Sequence, residues 1–316
     1  NIFKEVIKVE FKNNSLDISN IPKDLYTVYY PDIGMNSISI QLSNIRLAPI
    51  QIAGYGHPVS TFGSEIDYFI GGIEVEEIER AKENYSEKLV LLNDMAVTPE
   101  YPLYDTTNEI TENEEFIISC PWTIQKINYD HLMTVKEIIK KANKKVKLRF
   151  FTGIPKTTLF YYLKIELEEL FNGFDIEVLE STNYHDYMSK MNECTISIEP
   201  YHFGGYNIVV DSIFLRKPVI SFNGNKGYNK FASSLLNKIN LKELIATNRD
   251  EYISKTIELI NDDFYRKKII EKIKLIDLEK ALFNKNGLES FKRAFQYLIE
   301  NHDDIKTDKQ NRAIVI

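Results

Sequence analysis

The chain has 316 residues, of which 43% are hydrophobic and 27% are charged, a composition typical of folded globular proteins. Its formal net charge of -7 argues against a broad nucleic-acid surface, which requires clustered Lys and Arg. The sequence shows neither a signal peptide nor an apolar run of the roughly 18 residues that cross a bilayer, so no membrane span is expected.

Nine short β-rich runs follow one another along the chain, and the later ones alternate with helix-length amphipathic segments. Nearly continuous apolar runs are typical of strands buried on both faces of a parallel sheet, and the alternation favours an α/β fold. The predicted strands span 25–30, 49–56, 66–71, 88–93, 115–120, 146–152, 174–180, 194–199 and 218–222. The predicted helices span 130–144, 157–171, 183–192, 207–216 and much of the chain after 248, ending near 287–301.

A polar stretch at 98–115, with two prolines and no hydrophobic periodicity, predicts a linker between two α/β lobes. We therefore expect an N-terminal α/β lobe with its linker at 1–110, and a C-terminal α/β lobe with terminal helices at 111–316. Residues 303–316 are expected to form a frayed tail. Cys120 and Cys194 follow no metal-ligand spacing and predict buried thiols in a cytoplasmic protein.

Polar side chains follow the predicted strand 115–120. In an open parallel sheet, ligands bind at the carboxyl ends of the strands, where loops lead into helices. Thr123 and Lys126 lie three positions apart at such a helix entry, so a hydroxyl and an ammonium group can converge on one anion. A capping threonine and a surface lysine fit the same spacing, and spacing alone favours that plainer interpretation.

A second candidate position precedes the strand at 194–199. His185 lies at the start of a predicted helix, where an imidazole can stack on a planar ring or contact a ribose. A capping or surface histidine is the alternative.

The segment YHFGGYNIVVD (201–211) follows the same strand. Gly204 and Gly205 permit positive φ and close backbone approach, and the helix that starts near Tyr206 offers N–H groups suited to a diphosphate. Asn207 and Asp211 lie four apart, on one face of that helix, where the aspartate can accept hydrogen bonds from ribose hydroxyls. A structural turn is the alternative interpretation of the glycines.

In the predicted N-terminal lobe, the segment IAGYGHP (52–58) places His57 on a glycine-rich turn. Histidine can act there as a base, a hydrogen-bond donor or a phosphate contact near neutral pH. The glycines of this turn are equally compatible with a purely structural role.

Taken in order, these segments resemble the family 41 glycosyltransferases. This family comprises the nucleocytoplasmic protein O-GlcNAc transferases and the bacterial adhesin N-glucosyltransferases. The resemblance covers most of residues 25–265. It is carried by NIRLAPIQIAGYGHPVSTFGSEIDYFI (44–70), TIQKIN (123–128), HDYMSKMNEC (185–194), FGGYNIVVD (203–211), RKPVISFNG (216–224) and LKELIATNRDEYISKTIEL (241–259).

The resemblance implies a GT-B fold, in which two Rossmann-like lobes flank a cleft and the C-terminal lobe binds a UDP-sugar. It implies that Lys126 holds the diphosphate, that Thr123 lines the donor site, that His185 packs at the uracil and that Asp211 binds the ribose. Asn207 matches an asparagine at the donor phosphates in the bacterial enzymes, beside Gly204, Gly205 and Tyr206. His57 matches the histidine of the family's GHP turn, which makes it a candidate catalytic residue with Lys126.

The function implied is inverting, metal-independent transfer of a hexose or N-acetylhexosamine from a UDP-sugar to a protein Asn, Ser or Thr side chain, without a cofactor. Family members carry an upstream helical acceptor-binding domain and a fuller N-terminal lobe. Nothing before residue 25 matches that part, so the N-terminal lobe is expected to be incomplete. The chain is then either a fragment, which is the simpler explanation, or a reduced relative of the family. The alternative function is a non-catalytic nucleotide-sugar-binding or partner-stabilising subunit.

Overall fold

A computed structural model describes residues 4–12, 15–105, 115–283, 287–308 and 312–316. All nine predicted strands are present, several trimmed by one to four residues at their ends. The strands are β1 (Glu10–Lys12), β2 (Ser15–Asp17), β3 (Thr27–Tyr30), β4 (Ile50–Ala53), β5 (Tyr68–Gly72), β6 (Lys88–Leu92), β7 (Phe116–Cys120), β8 (Val146–Phe151), β9 (Asp175–Leu179), β10 (Ile196–Ile198), β11 (Val219–Phe222), β12 (Ile245–Ala246) and β13 (Ile314–Val315).

The helices agree with the predicted periodicity in the C-terminal half of the chain, and the structure adds short helices that the sequence pattern did not predict. They are α1 (Ser37–Leu42), α2 (Ile78–Ala81), α3 (Tyr129–Lys141), α4 (Thr158–Leu170), α5 (Tyr184–Asn192), α6 (Asn207–Phe214), α7 (Phe231–Lys238), α8 (Arg249–Asn261), α9 (Asp263–Lys274), α10 (Leu278–Ala281) and α11 (Gly287–Thr307). Among the described helices, none has the length and hydrophobicity that a membrane crossing requires.

The chain divides into two compact units, one formed by residues 1–98 with 285–316 and one by residues 99–284. The first unit contains a parallel sheet in the order β13-β6-β5-β4-β3. Every position of β4 and β5 is buried, as expected for strands covered on both faces. The short strands β1 and β2 pair antiparallel with each other.

The second unit contains a six-stranded parallel sheet in the order β12-β11-β10-β7-β8-β9. From β7 the chain builds outward through β8 and β9, then returns to the other side of β7 and builds outward again through β10, β11 and β12. The strand order therefore reverses between β7 and β10, which pair in parallel with Ile118 opposite Ile196. In open α/β sheets, the carboxyl ends of the strands at such a reversal form the usual ligand crevice.

The C-terminal segment differs from the prediction. The amphipathic helix α11 buries Ser290, Ala294 and Leu298, spaced four residues apart, and contacts β6 of the first unit. Residues beyond it add β13 to the same sheet, with Ile314 opposite Val90. Placing the terminal helix in a lobe at 111–316 and describing 303–316 as a frayed tail were therefore wrong, because the periodicity of a helix does not reveal which sheet it covers.

Half of the predicted linker at 98–115 falls on residues 106–114, which lie outside the described part of the chain.

Candidate functional site

Two loops meet where the strand order of the second unit reverses. One follows β7 and carries Trp122, and the other follows β10. The buried indole of Trp122 donates from Nε1 to the carbonyl oxygen of Ile198 at 2.8 Å, which ties the two strand ends together. This contact explains why residues 121–128 and 199–207, far apart in sequence, lie side by side.

The contact between Lys126 and Gly204 joins these loops. Lys126 ends a short 3-10 turn, Ile124–Lys126, whose first flanking residue is the exposed Thr123. Its Nζ donates to the Gly204 carbonyl oxygen at 2.6 Å and lies 5.2 Å from the centroid of the Phe203 ring. Burial lowers the pKa of Lys126 below that of a solvated lysine. The structure thus places a partly desolvated cation beside the glycine turn.

The Gly204–Gly205 turn leads directly into α6. Gly204 N donates to the Tyr228 carbonyl oxygen at 2.9 Å, and Gly205 N donates to Glu199 Oε1 at 2.7 Å. A Cβ on Gly204 would collide with the same Glu199 oxygen. Position 204 therefore requires a glycine, because its backbone lies too close to the Glu199 carboxyl group for a side chain to fit.

The structure distinguishes the two properties for which these glycines were singled out. Neither Gly204 nor Gly205 has a positive φ, whereas close backbone approach is present at Gly204. Their N–H groups already have acceptors, so an anion at this turn would meet the first turn of α6 instead. No side chain caps that helix at Tyr206, whose ring meets Phe231 edge-on at 5.7 Å. The exposed Asn207 is the first residue of α6.

Asp211 lies one turn further along α6 and is 7% exposed. Its Oδ1 accepts a hydrogen bond of 2.7 Å from the Tyr184 hydroxyl, which lies at the start of α5. Burial raises the pKa of Asp211 to about 6, and the Tyr184 hydrogen bond opposes that rise. Asp211 is thus a buried acceptor that already receives a hydrogen bond from one hydroxyl group. A ribose hydroxyl could donate to it in the same way.

His185 lies in the first turn of α5, beyond the capping residue Asn183, which accepts from Asp186 N at 2.9 Å. Its side chain is 71% exposed, and its ring lies 5.3 Å from that of Tyr104. The Tyr184–Asp211 bond connects the start of α5, where His185 lies, to α6.

Sequence reasoning missed three residues of this region: Glu199, Tyr184 and Tyr104. Glu199 had a signal, since an acidic residue directly follows the apolar strand β10 at the edge where ligands bind. The two tyrosines had none, because their roles depend on contacts with residues far away in the chain.

His57 lies in the first unit, on the turn after β4. The backbone of Gly34 has φ +106, and a Cβ there would collide with the imidazole ring of His57. Gly56 N donates to the Pro31 carbonyl oxygen at 2.7 Å, where a side chain would also collide. Burial lowers the pKa of His57, which favours its neutral form. The glycines of this turn therefore have a structural role, and the catalytic role of His57 stays a prediction.

Known proteins similar in sequence are protein glycosyltransferases, although no protein-family model matches the chain. The UDP-glucose:protein N-beta-glucosyltransferase of Actinobacillus pleuropneumoniae serotype 5b is 27% identical over 268 residues, which are 83% of this chain and 41% of that protein. SPINDLY of Solanum lycopersicum, named a probable UDP-N-acetylglucosamine–peptide N-acetylglucosaminyltransferase, is 22% identical over 69% of this chain and 24% of that protein. The chain spans less than half the length of these curated relatives. The similarity confirms the predicted resemblance to family 41 glycosyltransferases.

Among solved structures, a variant of the O-GlcNAc transferase of Thermobaculum terrenum matches with a TM-score of 0.64. The two chains are 17% identical, and the match covers 83% of this chain and 50% of the other. This likeness concerns the fold alone, and it confirms the GT-B class with its parallel α/β sheets.

Proposed function

We propose that the chain is the donor-binding and catalytic part of a glycosyltransferase that moves a hexose or N-acetylhexosamine from a UDP-sugar to a protein Asn, Ser or Thr side chain. The observation that carries the proposal is the contact of Lys126 Nζ with the Gly204 carbonyl oxygen where the strand order reverses. It places an ammonium group beside the N-terminus of α6, and both favour an anion. The names of the sequence relatives support a UDP-sugar donor and a protein acceptor.

We assign the donor contacts to α5, α6 and the two loops. Lys126 and the first turn of α6 hold the diphosphate, with Thr123 and Asn207 exposed beside them. Asp211 accepts from the ribose hydroxyls in place of the Tyr184 hydroxyl. The exposed ring of His185 packs against the uracil.

The reaction requires an acceptor hydroxyl or amide to attack the anomeric carbon while the bond from that carbon to UDP breaks. Negative charge then develops on the leaving diphosphate, where Lys126 and the α6 N-terminus offset it. In-line attack inverts the anomeric configuration, and the proposal includes no resident metal or cofactor. A neutral imidazole at His57 is suited to accept the proton that the acceptor loses.

Asn207 supports the bacterial branch of the family, in which the acceptor is an adhesin-like protein. We propose a cytoplasmic setting, since Cys120 and Cys194 are buried free thiols that suit a reducing compartment. An upstream helical domain or subunit that binds the acceptor is the expected partner.

The experiment is incubation of the full chain with a candidate acceptor protein and UDP-glucose, UDP-galactose or UDP-N-acetylglucosamine in turn, followed by mass spectrometry of the acceptor. The proposal predicts a mass increase equal to one sugar with one of these donors, located on Asn, Ser or Thr. Lys126→Ala is the matched control, because it should abolish most of the transfer without altering the acceptor. If the chain binds UDP but transfers no sugar, the alternative function of a non-catalytic subunit is favoured. If the chain does not bind UDP, the proposed donor site is wrong.

A further inference from the structure

Glu199 is a buried carboxylic acid directly beneath the glycine turn. It follows β10, is 1% exposed and contacts three separate elements. Its Oε1 accepts from Gly205 N at 2.7 Å, and its Oε2 accepts from Phe222 N, at the end of β11, at 3.4 Å. Its own carbonyl oxygen accepts a hydrogen bond of 2.7 Å from the Tyr252 hydroxyl on α8. Hydrogen bonds therefore hold both the carboxyl group and the backbone carbonyl group of Glu199 in place.

The position of Glu199 determines the shape of the turn. Its Oε1 occupies the space that a side chain at position 204 would need, so the Gly204 backbone lies directly against it. The carbonyl oxygen of that same glycine accepts from Lys126 Nζ. A continuous path of contacts thus runs from the carboxyl group through the single Gly204–Gly205 peptide unit to the ammonium group.

We propose that Glu199 is a positioning residue for the donor diphosphate: it holds the Gly205 N–H, fixes the Gly204 carbonyl group and so places Lys126 Nζ beside the first turn of α6. The inference rests on the proposed function, since it assigns Lys126 the task of binding the diphosphate. The inference adds Glu199 to the proposed donor site as a residue that does not touch the donor but acts through the glycine turn.

The charge of Glu199 is compatible with an anion nearby. Burial raises the pKa of its carboxyl group to about 8, against the opposing effect of the Lys126 charge. The titratable groups that face it are Lys126, after β7, and Tyr252, on α8. A neutral carboxyl near pH 7 holds the turn without repelling phosphate, whereas ionisation as the pH rises through about 8 adds a negative charge close to the diphosphate site.

The test is calorimetric titration of the full chain with UDP, using Lys126→Ala, Glu199→Ala and the double variant. Because Glu199 acts through Lys126, we expect each single substitution to weaken UDP binding about tenfold or more, and the double variant to bind within about twofold of Lys126→Ala. Glu193→Ala is the control, since the Glu193 carboxylate accepts hydrogen bonds from Arg149 and Lys190, whereas that of Glu199 accepts from the glycine turn. It should leave UDP binding unchanged.

A pH profile provides a readout that a purely structural role would not change. Between pH 7 and 9, UDP affinity should fall more steeply for the unaltered chain than for Glu199→Gln, whose amide cannot ionise but still offers an oxygen to Gly205 N. The comparison of pH profiles between the unaltered chain and Glu199→Gln still tests the inference if thermal unfolding shows that Glu199→Ala does not fold. Additive losses in the double variant, or parallel pH profiles, would overturn the inference alone. An unaltered chain that does not bind UDP would overturn the proposed function and the inference with it.

Discussion

Lys126 Nζ lies 2.6 Å from the carbonyl oxygen of Gly204, although the two residues are 78 positions apart in the chain. The partners of this ammonium group are a neutral carbonyl group and the face of Phe203. A half-buried cation with such partners is best stabilised by an incoming anion. The relationship therefore connects the fold, which brings β7 and β10 together, with the proposed binding of a diphosphate.

Lys126→Ala should lower sugar transfer by roughly 10²-fold or more, on the scale of one lost contact to a developing oxyanion. Initial rates at saturating UDP-sugar measure this change. Lys136→Ala is the matched control, because Lys136 is also half-buried and also donates to a backbone carbonyl, that of Leu170, but lies on α3. A rate that stays the same in Lys126→Ala, or falls equally in both variants, would contradict the role of Lys126.

Asp211→Asn should weaken UDP binding by roughly 1.5–3 kcal/mol at pH 7.5, the usual value of hydrogen bonds to a charged group. Because the pKa of Asp211 is raised to about 6, its ionised fraction grows as the pH rises from 5 to 7. Affinity of the unaltered chain should therefore increase over that range more than affinity of the variant. Comparing the two chains removes the contribution of the UDP phosphate, which titrates in the same range.

Tyr184→Phe offers an independent check on Asp211. The hydroxyl of Tyr184 lowers the carboxyl pKa, so its removal should shift the pH transition of UDP affinity upward. An unchanged transition, or equal affinity of the Asp211→Asn variant at pH 7.5, would exclude Asp211 as the ribose acceptor.

The sequence predicted most of the sheet of the second unit because its strands are short apolar runs separated by amphipathic helices. It also predicted that the segments around Lys126, His185 and Asp211 follow strands that end at the ligand-binding edge of the sheet. What it could not predict depends on contacts across long sequence separations. The bond between Tyr184 and Asp211 is one example, and the acceptor that Glu199 offers to Gly205 is another.

The conformation at Gly204 shows what local sequence leaves open. A glycine pair before a helix is compatible with a positive φ, with an open phosphate cradle or with close packing, and local sequence does not distinguish them. Only the position of the Glu199 side chain decides in favour of close packing.

Gly204→Ala should destabilise the second unit by about 1–3 kcal/mol, since the added methyl group overpacks against Glu199 Oε1 and approaches the Tyr228 carbonyl oxygen. Urea unfolding measures the change. In a Glu199→Ala background the larger of these two collisions is absent, so the same substitution should cost less there. Equal costs in both backgrounds would show that the carboxyl group does not determine the residue at 204.

His131 is buried among aromatic rings beneath the same loops, with its ring 4.5 Å from Trp122 and 4.6 Å from Tyr201. Its Nε2 lies 3.3 Å from the Tyr252 hydroxyl, while its Nδ1 is buried without a hydrogen-bond partner. Burial lowers the pKa of His131 to about 3, with a smaller effect from His202. The folded protein therefore holds this imidazole in its neutral form.

This neutral histidine should make the folded state sensitive to acid. As the pH falls below 6.5, the unfolded chain binds a proton at His131 that the folded chain excludes until about pH 3. Stability is thus lost through that window, at up to about 1.4 kcal/mol per pH unit. His131→Phe keeps a ring of similar size, leaves the Tyr252 hydroxyl bonded to Glu199 and removes the titration. Urea unfolding at pH 7.5 and pH 5 should show a smaller loss of stability for the variant, whereas an equal loss in both chains would mean that His131 has the same pKa in the folded and the unfolded chain.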